Sequence, residues 1–214
     1  GIDEGFHPYV HAETEAIAGV NIIEPAYQLA EMLNREKRDE LFISGYSQGG
    51  HAAMAMHKFI HEEGLNIEVT ASAPMSGPYL LSRNMKQLIL SEEEYLYPGY
   101  LAYMFQGYQT VYGDLYDSFQ EMYKEPYASV IENELTDLNY SIGFLHDTLN
   151  IMLMENEGAM KPKLMFQDSI IQQFMDNPDF RLNKVLELND VYDWIPEQPM
   201  RMYYCEADEQ VVYT

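Results

Sequence analysis

Hydrophobic positions along the chain follow two regimes. Residues 12 to 78 mix helical spacing with short apolar runs, whereas residues 79 to 199 carry helical spacing alone. Ala16, Val20, Ile23, Tyr27, Ala30 and Leu33 predict a helix over Ala12 to Asn34. Pro25 stands inside it, so a kink or a break into two helices is expected. The basic run NREKRD suits the negative end of that helix. Leu41 to Ser44 then reads as a buried strand. The helix after it starts near Gln48, with Ala52, Ala53, Met54, Met56, Phe59 and Ile60 as apolar positions and Gly64 as C-cap. Residues 67–73, IEVTASA, predict a second strand, followed by a turn over Pro74 to Pro78. Strand, helix and strand with short links imply a parallel pair, and in such a sheet ligands sit at the carboxyl ends of the strands.

Beyond Tyr79 the expected helices are Tyr100 to Tyr112, Leu115 to Tyr123, Ala128 to Leu135, Ile142 to Met154, Ser169 to Met175 and Asp179 to Leu188. A last strand, Arg201 to Cys205, returns to the sheet, with Cys205 facing the core. Trp194, with Pro196 and Pro199, anchors that return.

The junction between the first strand and its helix carries the candidate chemistry. Gly45-Tyr46-Ser47-Gln48-Gly49 fits Gly-x-Ser-x-Gly. By chance that pentapeptide is usually a loop, but here it has a strand before it and a helix after it, the context of a nucleophile elbow. Such a turn holds the Ser47 hydroxyl above the sheet edge in a strained conformation. Gly45 and Gly49 flank it where a Cβ would collide with a neighbour. The helix N-terminus points N–H groups at the position where an oxyanion would form.

GYSQGGHAAMA, together with FHPYVHAETEA near the start and NDVYDWIPEQPMRMYYCEADEQV near the end, resembles the alpha/beta-hydrolase superfamily. The likeness is to bacterial secreted esterase and lipase-like serine hydrolases with a helical cap. The implied fold is α/β, a parallel core sheet with an inserted all-helical cap. Residues 1–78 would form the core, 79–199 the cap and 200–214 the return to the core. The resemblance also implies acyl transfer from Ser47, an oxyanion donor in the backbone N–H of Gln48, and Asp208, one short loop past the last strand, as the triad acid. Asp190 and Asp193 compete for that role but precede the strand. Export to the periplasm or outside the cell is a further implication.

Composition narrows the partners. The net charge of −23, from 35 acidic and 12 basic side chains, disfavours nucleic acid and anionic lipid headgroups. A lone cysteine excludes an internal disulfide and a thiolate zinc site. His57 and His61 are spaced to share a metal, but with no third ligand in view they read as an exposed or half-buried face, and no metal or cofactor is expected. No apolar run approaches a membrane span, and no leader opens the sequence, so the chain either is not exported or has lost its leader. Its 18 tyrosines and 14 methionines suit an apolar, adaptable wall for a small or lipid-like ester, or simply a subdomain core.

The triad is incomplete in order. In this fold the histidine follows the acid, yet His7, His11, His51, His57, His61 and His146 all precede Asp208. His51 reads as a packing or capping residue, and His146 as the one histidine able to swing over the rim. The fold also normally has more strands before the elbow. The expectation is therefore the central part of a longer hydrolase, truncated at both ends, with its histidine beyond Thr214. The alternatives are a non-catalytic relative acting as a binding module, a peptidase or thioesterase, and a helical interaction protein with an accidental pentapeptide.

Overall fold

The computed structural model describes residues 5–36, 38–136 and 141–211. Thr214, and with it the expected truncation point, lies outside them. The chain divides into two compact units, Val10–Leu81 with Leu188–Thr214, and Gly1–Tyr9 with Ser82–Glu187.

The first unit opens with α1 (Ala12–Met32), which starts on His11, whose Nδ1 accepts from the Thr14 N–H at 3.3 Å. This helix runs unbroken through Pro25. Pro25 removes a single donor, and the residues around it are exposed, where water satisfies the released carbonyl. No basic side chain enters its last turn, because it ends ahead of Arg35.

Next come β1 (Phe42–Tyr46), α2 (Gln48–Glu62) and β2 (Ala71–Met75). The strands pair in parallel, Phe42 with Ala71 through Tyr46 with Met75. Both lie further along the chain than their apolar runs suggest, and the sheet passes through Pro74 instead of turning there. Gly64 takes φ +58° just past α2, beyond the Glu63 cap, while the Leu65 N–H reaches back to the Ile60 carbonyl at 3.1 Å.

Met200 to Tyr203 runs parallel along the other edge of β2 as two bridges, Ser72 with Met200 and Met75 with Tyr203, and not as the expected strand over 201–205. Pro74 supplies the reason. The Ser72 N–H donates to the Pro199 carbonyl and the Ser76 N–H to the Tyr203 carbonyl, but Pro74, midway between them on the same edge, has no N–H to give. Its carbonyl still accepts from the Tyr203 N–H at 3.1 Å. Cys205 follows the last bridge and is exposed, not turned to the core.

Two apolar clusters hold this unit. Ile43, Ala53, Met56, Ile60 and Val69 form one, and Ala16, Met54, Ala55 and Val191 the other, with Trp194 and Met200 packed against it. The alternate row of β1 is open: Phe42 and Tyr46 are each 68% exposed.

The second unit holds helices, described by itself as α3 (Leu81–Leu90, beginning on the last residue of the first unit), α4 (Gly99–Tyr112), α5 (Phe119–Met122), α6 (Tyr127–Thr136), α7 (Ile142–Glu157), α8 (Asp168–Asp176) and α9 (Arg181–Leu188), with a short 3-10 turn at Pro162–Met165. The helix α3 has no counterpart among the expected elements; its first turn holds Ser82, Arg83 and Asn84, weak or polar starters. The expected helix at 115–123 shrinks to one turn, since Ser118 is extended and the Asp117 N–H is taken by the Glu121 carboxylate at 2.9 Å. Leu101, Phe105, Tyr108, Ile131, Leu145, Leu149, Phe174 and Val185 are fully buried and make the core of this unit. Tyr95, Tyr123, Tyr127, Met104, Met122 and Met165 are buried too, so these tyrosines and methionines serve as packing.

Candidate active site

Ser47 stands between the end of β1 and the first residue of α2, at φ 57° and ψ −121°. That pairing lies outside the ordinary left-handed basin, a conformation that persists only where surroundings impose it. Here they do. The Ser47 N–H donates to the Met75 carbonyl at 3.0 Å, extending the ladder of the sheet. The Ser47 carbonyl accepts from the N–H groups of Gly50 and His51 at 2.9 and 3.2 Å, starting the helix. The hydroxyl makes no capping bond to α2, so it is not consumed by the helix it precedes.

The glycines divide differently from expectation. A Cβ on Gly45 would lie 2.0 Å from the Gly49 carbonyl oxygen, so this position tolerates no side chain. A Cβ on Gly49 would meet nothing within 4 Å. The second steric requirement falls instead on Gly50, where a Cβ would lie 2.3 Å from the Met75 oxygen. Gly49 enters the contact through its carbonyl, which faces Gly45, and not through a missing side chain.

Ser47, Ser76 and Asp208 each follow the carboxyl end of one of three adjacent parallel segments. Ser76 is buried and also takes a positive φ, 44°, which the sequence did not signal. Asp208 is half-buried, and its Oδ1 accepts from the N–H groups of Gln210 and Val211, both at 3.0 Å. It caps its own turn in this structure.

The histidines are engaged elsewhere. His51, buried at α2's first turn, contacts Glu15 Oε2 through Nδ1 at 2.6 Å and donates from Nε2 to the Asn189 carbonyl at 3.0 Å. His57 is fully buried, not on an exposed or half-buried face: Nδ1 is 2.9 Å from Ser72 Oγ, Nε2 is 3.2 Å from Gln198 Oε1, and Trp194 stacks edge-on at 5.0 Å. His61 lies against the same indole. His146, in the helical unit, accepts from the Gly99 N–H at 3.0 Å and packs among Tyr97 and Tyr100. Burial lowers the pKa of His11, His57 and His146, since desolvation disfavours the imidazolium. Among the described residues no three His, Cys, Asp or Glu side chains are placed to hold one metal ion.

Known structures share this fold. A Legionella pneumophila protein provisionally assigned as a hydrolase is 29% identical at a TM-score of 0.81, covering 97% of this chain and 53% of that one. LipA, the rice cell wall degrading esterase of Xanthomonas oryzae, is 25% identical at 0.80, covering 93% and 51%. The chain shares the alpha/beta-hydrolase fold with esterases and lipases. Candida antarctica lipase A has the same fold at 13% identity, TM-score 0.63, covering 96% of this chain and 44% of the lipase. The chain thus spans about half the length of the solved structures it matches. No family model and no curated protein matches it. Among the described residues no helix is long and apolar enough to cross a membrane.

Proposed function

We propose that this chain carries the nucleophile of a serine hydrolase acting on carboxylic esters. The observation that supports it most is the conformation of Ser47, held at φ 57° and ψ −121° where a parallel strand passes into a helix. The likeness to esterases gives the substrate class its support.

In this reading the junction is a nucleophile elbow. The Ser47 Oγ attacks the ester carbonyl, and a histidine takes the hydroxyl proton and later hands it to the departing alcohol. The backbone N–H of Gln48, at the N-terminal end of α2, supplies one donor to the tetrahedral oxyanion; a lost donor of this kind costs a hundredfold or more in kcat. Asp208 orients the imidazole. The residues that match solved structures amount to about half of those chains, so we read them as part of a longer, exported enzyme and assign the histidine to a part of it outside these residues. The partly uncovered β1 row is consistent with further elements against the sheet. The helical residues 79–199 are proposed as the cap of such an enzyme, and small or lipid-like esters as its substrates.

One observation favours a second reading, a non-catalytic binding module: Asp208 is turned onto its own backbone. The two readings part in a panel of acyl esters, thioesters and aminoacyl amides assayed with full-length wild type and Ser47→Ala. Ester turnover lost in Ser47→Ala supports the esterase. Turnover confined to thioesters or amides moves the assignment to a thioesterase or peptidase, and no turnover on any substrate favours the binding module.

A further inference from the structure

Glu15, on α1, is an acid the proposed chemistry does not use, and it sits under the Ser47 turn. Its side chain is 6% exposed and that of His51 is 0% exposed. Burial of a lone carboxylate costs several kcal/mol unless partners replace the water it loses. Here both oxygens are engaged by the first turn of α2. Oε1 accepts from Gln48 Nε2 at 2.9 Å, and Oε2 lies 2.6 Å from His51 Nδ1. Those two partners are the first and fourth residues after Ser47.

The far side of the network is fixed as well. The Asn189 carbonyl only accepts, so His51 Nε2 carries a proton. On its other side the ring holds Nδ1 against Glu15 Oε2. Asn189 is tied to α1 in turn, its Oδ1 accepting from the Ala12 N–H at 2.8 Å. The carboxylate therefore joins α1 to the two α2 residues that follow the nucleophile most closely with side-chain bonds.

We propose that Glu15 is a positioning residue for the oxyanion site, an inference that rests on the serine-hydrolase reading above. By holding Gln48 and His51 it fixes the rotation of the first turn of α2, and with it the direction of the Gln48 backbone N–H. An oxyanion donor works only when held close to its final place, and displacements well under 1 Å weaken it. A plain structural tie between two helices would affect stability and leave the chemical step alone.

The test compares full-length wild type, Glu15→Gln and Gln48→Ala in steady-state hydrolysis of a p-nitrophenyl ester, with thermal unfolding in parallel. Gln48→Ala removes the bonded side chain and keeps the backbone N–H. Folded Glu15→Gln is expected to lose about tenfold or more in kcat with KM within about twofold, short of the hundredfold of a deleted donor. Gln48→Ala is expected to fall in kcat in the same direction, with some loss of melting temperature because Glu15 Oε1 loses its donor, and its kcat decides the matter if Glu15→Gln does not fold. Wild-type kcat in the folded variants, or a loss carried by KM, overturns the positioning role while leaving the hydrolase reading intact. A folded wild type inactive on every ester overturns the hydrolase reading and this inference with it.

Discussion

Substituting the two glycines of the pentapeptide one at a time separates what the motif suggests from what the structure requires. In Gly45→Ala the new Cβ would sit 2.0 Å from the Gly49 oxygen, 2.3 Å from its carbonyl carbon and 2.9 Å from its Cα. Real Cβ contacts essentially never fall under 3.0 Å, so β1 and the first turn of α2 must part by about 1 Å, the difference between 3.0 and 2.0. All three opposing atoms are backbone, so no rotamer change relieves the clash. Overpacking in cores costs about 1–3 kcal/mol where side chains adjust, and we expect about 3 kcal/mol or more here, a large part of the roughly 5–15 kcal/mol that holds a protein folded. Gly49→Ala meets open space inside a helix, where alanine is favoured over glycine by about 0.5–1 kcal/mol. Urea unfolding followed by circular dichroism on wild type and both variants reads the difference. Equal destabilisation by the two, or a Gly45→Ala as stable as wild type, refutes the reasoning.

Other expectations are independent of that clash. Ser47→Gly relieves a strain of about 1–3 kcal/mol at a cost of about 0.5–1 kcal/mol in glycine entropy, so it should melt higher than wild type while Ser47→Ala does not; a melting point at or below that of Ser47→Ala would show that Ser47 stores no strain. The lowered pKa values of His11, His57 and His146 mean that the unfolded chain binds more protons than the folded one just below pH 6.5. Stability should therefore be at its plateau above about pH 6.5 and fall as pH drops from there toward the folded-state values, and urea midpoints at pH 7.5 and 5.5 should show less difference in His57→Gln. Cys205 is exposed, so the native protein should consume one equivalent of a thiol reagent without denaturant; reaction only after unfolding would contradict its placement.

The elements that set Ser47 were legible because their signals are local. A short apolar run, a glycine that excludes a side chain and a helical pattern occur in order within residues 41 to 62, and they fold as β1, the turn and α2. What escaped the sequence depends on long-range pairing. Pro74 looked like a turn former, yet it lies within β2, and its missing N–H is felt by a segment more than a hundred residues later. Glu15 looked like one more acid in a helix crowded with them, and nothing local marks it as the partner of His51 and Gln48. His57 looked like half of an exposed or half-buried pair because Ser72 and Gln198, which take its two nitrogens, come from other parts of the chain.

The central claim is that Ser47 is an activated nucleophile, and the most direct measurement is the intact mass of the full-length protein before and after a fluorophosphonate. One adduct, mapped to Ser47 and absent from Ser47→Ala, is the predicted result. A folded protein that gains no adduct, or gains it on another residue, would contradict it.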